Sequence, residues 1–303
     1  MTLKIKNKHI LTLDELESKE ITQIIDLGLE LKKQKNEKPL LQNKTLAMIF
    51  EKPSTRTRVS FETGMFQLGG HALTLSNDDL QLSRGETISD TAKVLSRYVD
   101  AIMARVYDHE TLEILAENSQ VPVINGLSNS YHQCKTLAYF MTIKEHKKNL
   151  KKIKIAWIGD GNNVCNSLIL GCSKLKTKVS IATPNGFEPS TIATSTAKLH
   201  TDIELTNDPI ESVKDADVVM TDTFVSIHND DQDRLEKFLP KFQINSSLME
   251  KAKKDAIFLH CLPAKREQEV TTEVLDGPQS VIWDEAENRL HVQKALLISL
   301  LGF

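Results

Sequence analysis

Apolar and polar positions along the chain predict an alternation of strands and helices. In the first half, four short apolar runs are separated by stretches with helical apolar spacing. The runs are TLAMIF (45–50), HALTLS (71–76), AIMARV (101–106) and VPVINGL (121–127). A helical opening, LTLDELESKEITQIIDLGLELKKQK, precedes them. Strands that alternate with helices are typical of parallel βαβ units, so this half predicts a parallel sheet covered by helices.

The same pattern restarts after the basic run KEHKKNLKK (144–152). Strands are predicted at KIAWIGD, KVSIATP, DVVMTD and AIFLHCL, and helices at VCNSLILGCSKL and STIATSTAKLH. The tail HVQKALLISLLGF is a further apolar helix. At 303 residues the chain is long enough for two cores. We therefore predict an α/β protein of two doubly wound parallel-sheet domains, with an active-site crevice between them.

The basic run marks the predicted boundary between these domains. Residues 1–147 are expected to form the first domain, and residues 148–289 the second. The C-terminal helix, residues 290–303, is expected to pack back on the first domain.

A group of hydrogen-bond donors follows the first strand. The stretch EKPSTRTR (51–58) lies between TLAMIF and a helical stretch that ends at Gly69-Gly70. At such a strand-to-helix turn, free N–H groups and the helix dipole favour an anion. The hydroxyls and guanidinium groups of residues 54–58 add further donors. Capping the helix requires only one hydroxyl, so we interpret the turn as a phosphate site rather than a simple N-cap.

The charge balance limits the classes of partner. A net charge of -3 and a pI near 6.3 show no basic excess, which disfavours nucleic acid and anionic membranes. No apolar run approaches the roughly 20 residues of a membrane span. The opening MTLKIKNKHI lacks the features of a signal peptide, so a cytoplasmic protein is expected. The four cysteines lack C-x-x-C spacing, which indicates reduced thiols rather than disulfides or a metal site.

Polar residues also follow two strands of the second half. In IGDGNNVCNS (158–167), Val164 replaces the third glycine of a dinucleotide-binding fingerprint, which disfavours nicotinamide chemistry. Asn162 and Asn163 present amides that suit the carboxylate or amine of an amino acid, and a helix cap explains them equally well. Asp222 follows a strand and suits a cationic group, with a turn cap as the alternative.

A histidine and a cysteine end the last predicted strand. His260 and Cys261 are adjacent in HCLP, so their side chains point to opposite faces and a protease-like dyad is disfavoured. A buried structural cysteine is the alternative to a role in a site. Arg105 ends the predicted strand AIMARV and His132 follows VINGLSNS, and an open α/β sheet gathers its ligand contacts at such strand ends. Together they would place two more donors beside a phosphate.

These residues carry a resemblance to a known family. The motifs are STRTR (54–58), DTAKVL (90–95), ARV (104–106), VINGLS (123–128), GDGNN (159–163), TDTFVS (221–226), HCLP (260–263) and EAENR (285–289). Through them the sequence resembles the aspartate/ornithine carbamoyltransferases over nearly its whole length. The resemblance implies transfer of the carbamoyl group of carbamoyl phosphate to the side-chain amine of L-ornithine, which gives L-citrulline for arginine biosynthesis. It also implies a homotrimer or a multiple of trimers, without cofactor or metal.

The resemblance further implies two sets of site residues. Carbamoyl phosphate would contact Ser54, Thr55, Arg56, Thr57, Arg105, His132, Lys135, Cys261, Leu262 and Arg289, and Gln81 would reach a neighbouring subunit's site. L-ornithine would contact Asn163, Asp222, Ser226 and Ile227. The catalytic residues would be Arg105, His132 and Cys261. The first two would stabilise negative charge on the carbamoyl oxygen, and Cys261 would lie near both substrates.

Two segments depart from the family pattern. The family has His-Pro-x-Gln where this chain has HQCK (132–135), so a lysine stands in place of the glutamine. The family has Ser-Met-Gly where this chain has SIH (226–228). Two alternatives therefore stay open. One is a carbamoyltransferase for another amine, such as N-acylated ornithine or putrescine, and the other is a catalytically weak homologue that acts as an anion-binding or assembly subunit.

Overall fold

The structure is a computed structural model that describes residues 5–6, 8–34, 38–225 and 234–302. Its contacts divide the chain into two compact units. Unit 1 comprises Met1–Leu137 and Asn288–Phe303, and unit 2 comprises Ala138–Glu287.

Unit 1 is built on four parallel strands within the described residues. Its elements are α1 (Ser18–Lys33), β1 (Thr45–Phe50), α2 (Thr55–Gln67), β2 (His71–Ser76), α3 (Ile88–Leu95), β3 (Ala101–Arg105), α4 (His109–Asn118), β4 (Val123–Leu127) and the start of α5 (Gln133–Lys147). The strand order is β2-β1-β3-β4. The order changes direction between β1 and β3, and doubly wound sheets bind ligands at the carboxyl ends of such a strand pair.

Apolar side chains of β1 and β3 form the centre of the unit 1 core. Ala47, Ile49 and Ile102 are buried in one cluster with Leu112 and Leu115 of α4. Helix α2 ends near Gly69, which has a φ of 78° and so adopts the left-handed backbone that glycine accepts without strain. The predicted glycine stop of this helix is confirmed.

Unit 2 is built on five parallel strands within the described residues. After α5 its elements are β5 (Lys154–Ile158), α6 (Asn163–Leu175), β6 (Lys178–Ala182), α7 (Thr191–Lys198), β7 (Ile203–Thr206), α8 (Pro209–Val213), β8 (Val218–Thr221), α9 (Leu235–Phe238), α10 (Ser246–Met249), β9 (Ile257–His260), α11 (Thr272–Leu275) and the start of α12 (Ile282–Leu301). The strand order is β7-β6-β5-β8-β9, so the direction changes between β5 and β8.

Close packing fixes the turn between β5 and α6. A Cβ atom on Gly161 would lie 2.2 Å from the backbone nitrogen of Pro189, so only glycine fits there. Trp157 is fully buried in β5, and its Nε1–H donates to the carbonyl of Asp160 at 2.9 Å. These contacts hold the turn that follows β5 against the core.

The predicted fold class of two doubly wound parallel α/β sheets is confirmed, and every predicted strand is present. Several helix bounds were wrong. The opening helix begins at Ser18 rather than at residue 11, because the Glu15 carboxylate accepts the N–H groups of Leu11 and Thr12 in a turn. The tail helix starts at Ile282 and continues to Leu301.

Several short elements of unit 2, among them β7 and α8, were not predicted from the sequence. Strand β7 is a four-residue outer strand, and α8 is a five-residue helix. Both are too short to show a clear period. Among the described residues, no helix has the length and apolar character needed to cross a membrane.

Candidate active site

The STRTR motif forms the turn between β1 and α2, as predicted. Ser54 is the N-cap of α2, and its Oγ accepts the N–H of Thr57 at 3.3 Å and donates to Thr57 Oγ1 at 3.0 Å. Thr57 is buried, whereas Thr55 and Arg56 are exposed at the first turn of the helix. The exposed N-terminal turn therefore presents N–H groups and a guanidinium to a ligand.

Arg58 does not contribute to this turn. Its Nε donates to Glu62 Oε1 at 2.9 Å, one turn along the exposed surface of α2. The expectation that Arg58 adds charge to the anion site was wrong, because an acidic partner four residues away draws it along the helix.

Two more guanidinium groups lie near Arg56. Arg289 of α12 donates from Nη2 to Thr57 Oγ1 at 2.7 Å. Arg105 ends β3 and is buried, and its Nε has no hydrogen-bond partner among the described residues. The pKa of Arg105 is lowered to about 10 by burial and by the like charges of Arg289 and Arg56. Like charges gathered at a sheet switch point indicate a site for an anion, which would offset their repulsion.

We call Ser54, Thr55, Arg56, Thr57, Arg105 and Arg289 the anion cluster. His132 and Lys135 lie at the start of α5 in the same unit, and both are buried. The His132 carbonyl accepts the N–H of Lys135 at 3.2 Å, so the two residues are one helical turn apart. Between them, Gln133 donates from Nε2 to the carbonyls of Ile10 and Asn125 at 2.8 and 2.9 Å. Gln133 therefore anchors the start of α5.

Gln81 lies apart from this cluster within the described contacts. It opens a short 3-10 turn, Gln81–Arg84, and is exposed. Its Oε1 accepts a long hydrogen bond of 3.4 Å from Arg84. An exposed position is compatible with the expectation that Gln81 serves a neighbouring subunit, which stays a prediction.

The second group of predicted residues lies in unit 2, where β5 and β8 end. Asn162 is the N-cap of α6, and its Oδ1 accepts the N–H groups of Val164 and Cys165 at 3.0 and 3.1 Å. Its Nδ2 donates to Asp222 Oδ2 at 3.1 Å. Asn162 thus caps the helix and also fixes a carboxylate, while Asn163 is the first residue of α6 and half-buried.

Asp222 accepts three hydrogen bonds around its carboxylate. Besides Asn162, the N–H of Thr223 donates to Oδ1 at 2.8 Å, and Cys261 Sγ donates to Oδ1 at 2.6 Å. Asp222 and Cys261 are both buried. A carboxylate fixed in this way can accept a charge-assisted hydrogen bond from a substrate ammonium.

We call Asn162, Asn163, Asp222, Cys261 and Leu262 the carboxylate cluster. The ring nitrogens of His260 contact the backbone N–H of Leu262 and the carboxylate of Glu269 rather than the side chains of Asp222 and Cys261. This agrees with the interpretation that His260 and Cys261 do not form a dyad. Ser226 and Ile227 lie outside the described residues.

Sequence reasoning missed an ion pair beside this cluster. Arg234 donates from Nη2 to Asp160 Oδ2 at 2.7 Å, and both side chains are largely buried. The pKa of Asp160 is raised to about 6, because burial and the nearby charge of Asp222 together outweigh the opposing effect of Arg234. Asp160 lies inside GDGNN, so the motif could have drawn attention to it. Arg234 has no comparable signal.

Tyr139 was also missed. It is fully buried in α5, and its hydroxyl lies close to Cys261. Its pKa is raised well above the usual value by burial and by nearby Cys261, Glu285 and Asp222. An aromatic residue in an apolar helix usually belongs to the core, so the sequence gave no reason to single it out.

The fold and the two clusters together define the class of protein. It is a parallel α/β protein of two units, with an anion-binding turn at the switch point of one sheet and a fixed carboxylate at the switch point of the other. Residues 8–145 match the family model for the carbamoyl-P binding domain of aspartate/ornithine carbamoyltransferase. Residues 151–300 match the model for its Asp/Orn binding domain. The chain belongs to the aspartate/ornithine carbamoyltransferase family.

Relatives of known name support this membership along the whole chain. The chain is 58% identical to the ornithine carbamoyltransferase of Cenarchaeum symbiosum, over 98% of this chain and 99% of that one. It is 54% identical to that of Bacillus subtilis, over 97% and 94% of the two chains. Among solved structures, ornithine carbamoyltransferase from Pyrococcus furiosus matches with a TM-score of 0.93 at 48% identity, over 99% of this chain and 98% of that one.

Proposed function

We propose that the protein transfers the carbamoyl group of carbamoyl phosphate to the side-chain amine of L-ornithine, giving L-citrulline and phosphate. The observation that carries the proposal is the anion cluster, in which Arg56, Arg105 and Arg289 gather like charge around the N-terminus of α2. The names of the relatives support ornithine as the acceptor.

Carbamoyl phosphate supplies an anion whose charge offsets the positive charge of this cluster. The phosphate takes the hydroxyls of Ser54, Thr55 and Thr57 and the guanidinium of Arg56, and Arg289 completes the group. Arg105 and His132 face the carbamoyl oxygen and stabilise the negative charge that develops there, which is commonly the largest single contribution in acyl transfer. Lys135, one helical turn after His132, adds positive charge beside the phosphate.

L-ornithine binds to the carboxylate cluster through its amino-acid end. Asp222 accepts from the α-ammonium group, and Asn163 contacts the α-carboxylate. Ser226 and Ile227 complete this part of the site, and Cys261 and Leu262 lie close to the reacting groups. The three hydrogen bonds that Asp222 already accepts support this role, because they fix the carboxylate before the substrate arrives.

The reaction then follows from the chemistry of the two substrates. The neutral side-chain amine attacks the carbamoyl carbon, a tetrahedral intermediate forms, and the bond from carbon to the phosphate oxygen breaks. The proton lost by the amine leaves with phosphate. This displacement transfers no electrons, so we expect no redox cofactor.

We assign the two substrates to separate parts of the chain. Unit 1, which carries the anion cluster, forms the domain for carbamoyl phosphate, and unit 2, which carries the carboxylate cluster, forms the domain for L-ornithine. The two family-model matches, to a carbamoyl-P binding domain over residues 8–145 and an Asp/Orn binding domain over residues 151–300, support this order of the two sites along the chain. We further propose a homotrimer or a multiple of trimers.

The deciding experiment measures citrulline formation from carbamoyl phosphate, with L-ornithine, N-acetylornithine and putrescine compared side by side. We expect L-ornithine to give the highest kcat/KM. Preference for putrescine would show that no amino-acid end is recognised, and absence of turnover with all three amines would reject the proposed activity.

A matched pair of variants tests the role of the carboxylate. Asp222→Asn is expected to lower turnover of L-ornithine by about a hundredfold, because a charge-assisted contact to an ammonium group is lost. Asp208→Asn is the control, since Asp208 caps the exposed start of α8. Equal turnover in the two variants would remove Asp222 from the site.

A further inference from the structure

Two fully buried ionisable residues in unit 2 have no role in the proposed mechanism. His260 ends β9, and Glu269 lies nine residues later in the loop that follows. His260 Nε2 and Glu269 Oε1 are 3.1 Å apart, and both side chains are completely inaccessible to solvent. Burying two such groups is costly unless their hydrogen bonds are satisfied.

The hydrogen bonds of His260 determine which ring nitrogen carries the proton. The backbone N–H of Leu262 donates to Nδ1 at 2.9 Å, so Nδ1 is an acceptor and carries no hydrogen. The proton is therefore on Nε2, which donates to Glu269 Oε1. The backbone N–H of Lys265 donates to the same oxygen at 2.6 Å. Glu269 thus selects one neutral tautomer of His260.

The amide that His260 accepts belongs to an unusual corner of the chain. Leu262 has a φ of 50°, in the left-handed region that a branched side chain rarely adopts. Such a conformation persists only where surrounding contacts impose it. The residue just before it, Cys261, donates from Sγ to Asp222 Oδ1 at 2.6 Å. A change at Leu262 N would therefore be transmitted directly to the contact between Cys261 and Asp222.

We infer that Glu269 and His260 are positioning residues for L-ornithine. Glu269 fixes the His260 tautomer, His260 Nδ1 holds the Leu262 amide, and the held corner keeps Cys261 on the carboxylate of Asp222. The inference rests on the proposed function for its substrate, while the tautomer and the corner are properties of this chain alone. A purely structural role would require only that the buried pair be filled and satisfied.

Two substitutions at His260 separate these roles. In His260→Asn the amide oxygen can occupy the position of Nδ1 and still accept the Leu262 N–H. In His260→Gln the polar atoms lie further out, near the position of Nε2, so the Leu262 N–H loses its acceptor. We expect His260→Gln to raise KM for L-ornithine by about tenfold or more, the usual minimum for loss of an orienting partner. His260→Asn should stay near the parent.

Two substitutions at Glu269 form the second pair. Glu269→Gln keeps an oxygen that can accept from His260 and Lys265, and it replaces Oε2, which has no hydrogen-bond partner among the described residues. Glu269→Leu removes the acceptor of the Nε2–H, so that only the Leu262 N–H then favours this tautomer. We expect only Glu269→Leu to raise KM for L-ornithine, with affinity for carbamoyl phosphate unchanged in both variants.

The experiment combines kinetics with nitrogen-15 NMR of the histidine rings in the full-length protein. The parent should show His260 protonated at Nε2 alone, and Glu269→Gln should retain this form. Equal loss of activity in His260→Asn and His260→Gln, or parent-like KM in all four variants, would overturn the inference. So would an imidazolium or Nδ1–H form in the parent spectrum. If the parent makes no citrulline, the proposed function fails, whereas the NMR result still judges the tautomer separately.

Discussion

At the scale of single residues, the like charges of the anion cluster lower the stability of the ligand-free protein and favour the binding of an anion. The charge of Arg105 is disfavoured in the folded protein, because the side chain is buried beside Arg56 and Arg289. A bound phosphate offsets this repulsion. Relief of the repulsion therefore contributes to the free energy of phosphate binding. Binding sites often retain such locally unfavourable charge.

Arg105→Met is therefore expected to stabilise the ligand-free protein. The pKa of Arg105 is lowered from 12.5 to about 10, so removing the charge should raise the free energy of unfolding by about 3 kcal/mol at neutral pH. Urea denaturation measures this change, and calorimetry should show that carbamoyl phosphate no longer binds. The exposed Arg97, replaced in the same way, is the control. A destabilised Arg105→Met protein would contradict the account.

Arg56 and Arg58 provide a matched test of the anion site. They are two residues apart on α2, yet only Arg58 has an acidic partner along the helix, Glu62. Arg56→Ala should abolish binding of carbamoyl phosphate, because a charge-assisted phosphate contact is lost. Arg58→Ala should bind as the parent does. Calorimetric affinities within about threefold of the parent for Arg56→Ala would refute the assignment of STRTR, since such a change is under 1 kcal/mol.

Lys135 carries a prediction about rate rather than binding. A glutamine at this position accepts a hydrogen bond from the carbamoyl amide, whereas lysine has donors only and repels a protonated amine. Lys135→Gln should therefore raise kcat with L-ornithine by about tenfold, which corresponds to 1.4 kcal/mol, and leave or weaken carbamoyl phosphate affinity. Steady-state kinetics measures both. A variant about tenfold slower than the parent would make Lys135 part of the mechanism.

How far the sequence predicts individual site residues depends on their distance along the chain from their partners. Arg105 and Asp222 follow strands, and a parallel sheet brings strand ends together, so position alone singled them out. Arg234 is 74 residues from Asp160, and no local pattern indicates that pairing. Tyr139 faces Cys261 and Asp222 from a helix whose apolar composition resembles any core helix. Contacts of this kind are set by tertiary packing.

At the scale of elements, length decides what the sequence predicts. The buried strands β1, β3, β5 and β8 read as apolar runs bounded by polar turns, so their existence and parallel order were predictable. Strand β7 is half-exposed at the edge of its sheet, and only its pairing with β6 defines it as a strand. The polar first turns of α12 concealed its true start, because Trp283 and Asp284 lie there exposed or half-exposed.

The ion pair of Asp160 and Arg234 joins the turn after β5 to the start of α9 and gives a pH-dependent prediction. The pKa of Asp160 is raised from 3.8 to about 6, so the folded state holds this proton more tightly than the unfolded state. The Asp160 contribution to stability is therefore favourable at low pH and is lost as the pH rises through about 6. Asp160→Asn does not titrate.

We accordingly compare the free energies of unfolding of Asp160→Asn and the parent. The difference should shift in favour of the variant by about 3 kcal/mol between about pH 4 and pH 7, which is the free energy equivalent of a change of about two pKa units. Urea denaturation at several pH values measures the difference. Asp202→Asn, at an exposed position, should show no such trend. A pH-independent difference for Asp160→Asn would mean that the carboxyl is ionised as readily in the folded chain as in the unfolded one.

At the scale of the whole molecule, the surface of unit 1 bears on the proposed assembly. Val59 and Phe66 lie seven residues apart on the same face of α2, and Leu73 lies on the neighbouring outer strand β2. All three are exposed, and Phe66 is 81% accessible. An exposed apolar patch on a folded unit is typical of a protein interface.

We expect Phe66→Glu to dissociate the assembly. If Phe66 lies in the interface of the proposed trimer, a carboxylate in its place would be desolvated without a partner, a cost that an interface of ordinary size does not offset. Sedimentation equilibrium of the parent should give three times the chain mass of 34.1 kDa, or a multiple of that, and Phe66→Glu should shift the mass toward one chain. Leu199→Glu is the matched control, because Leu199 is 78% accessible but lies after α7 in unit 2.

A parent that sediments as a monomer would reject the trimer. An unchanged mass for Phe66→Glu would show that α2 tolerates a charge as well as the exposed position of Leu199 does. The interface would then lie elsewhere.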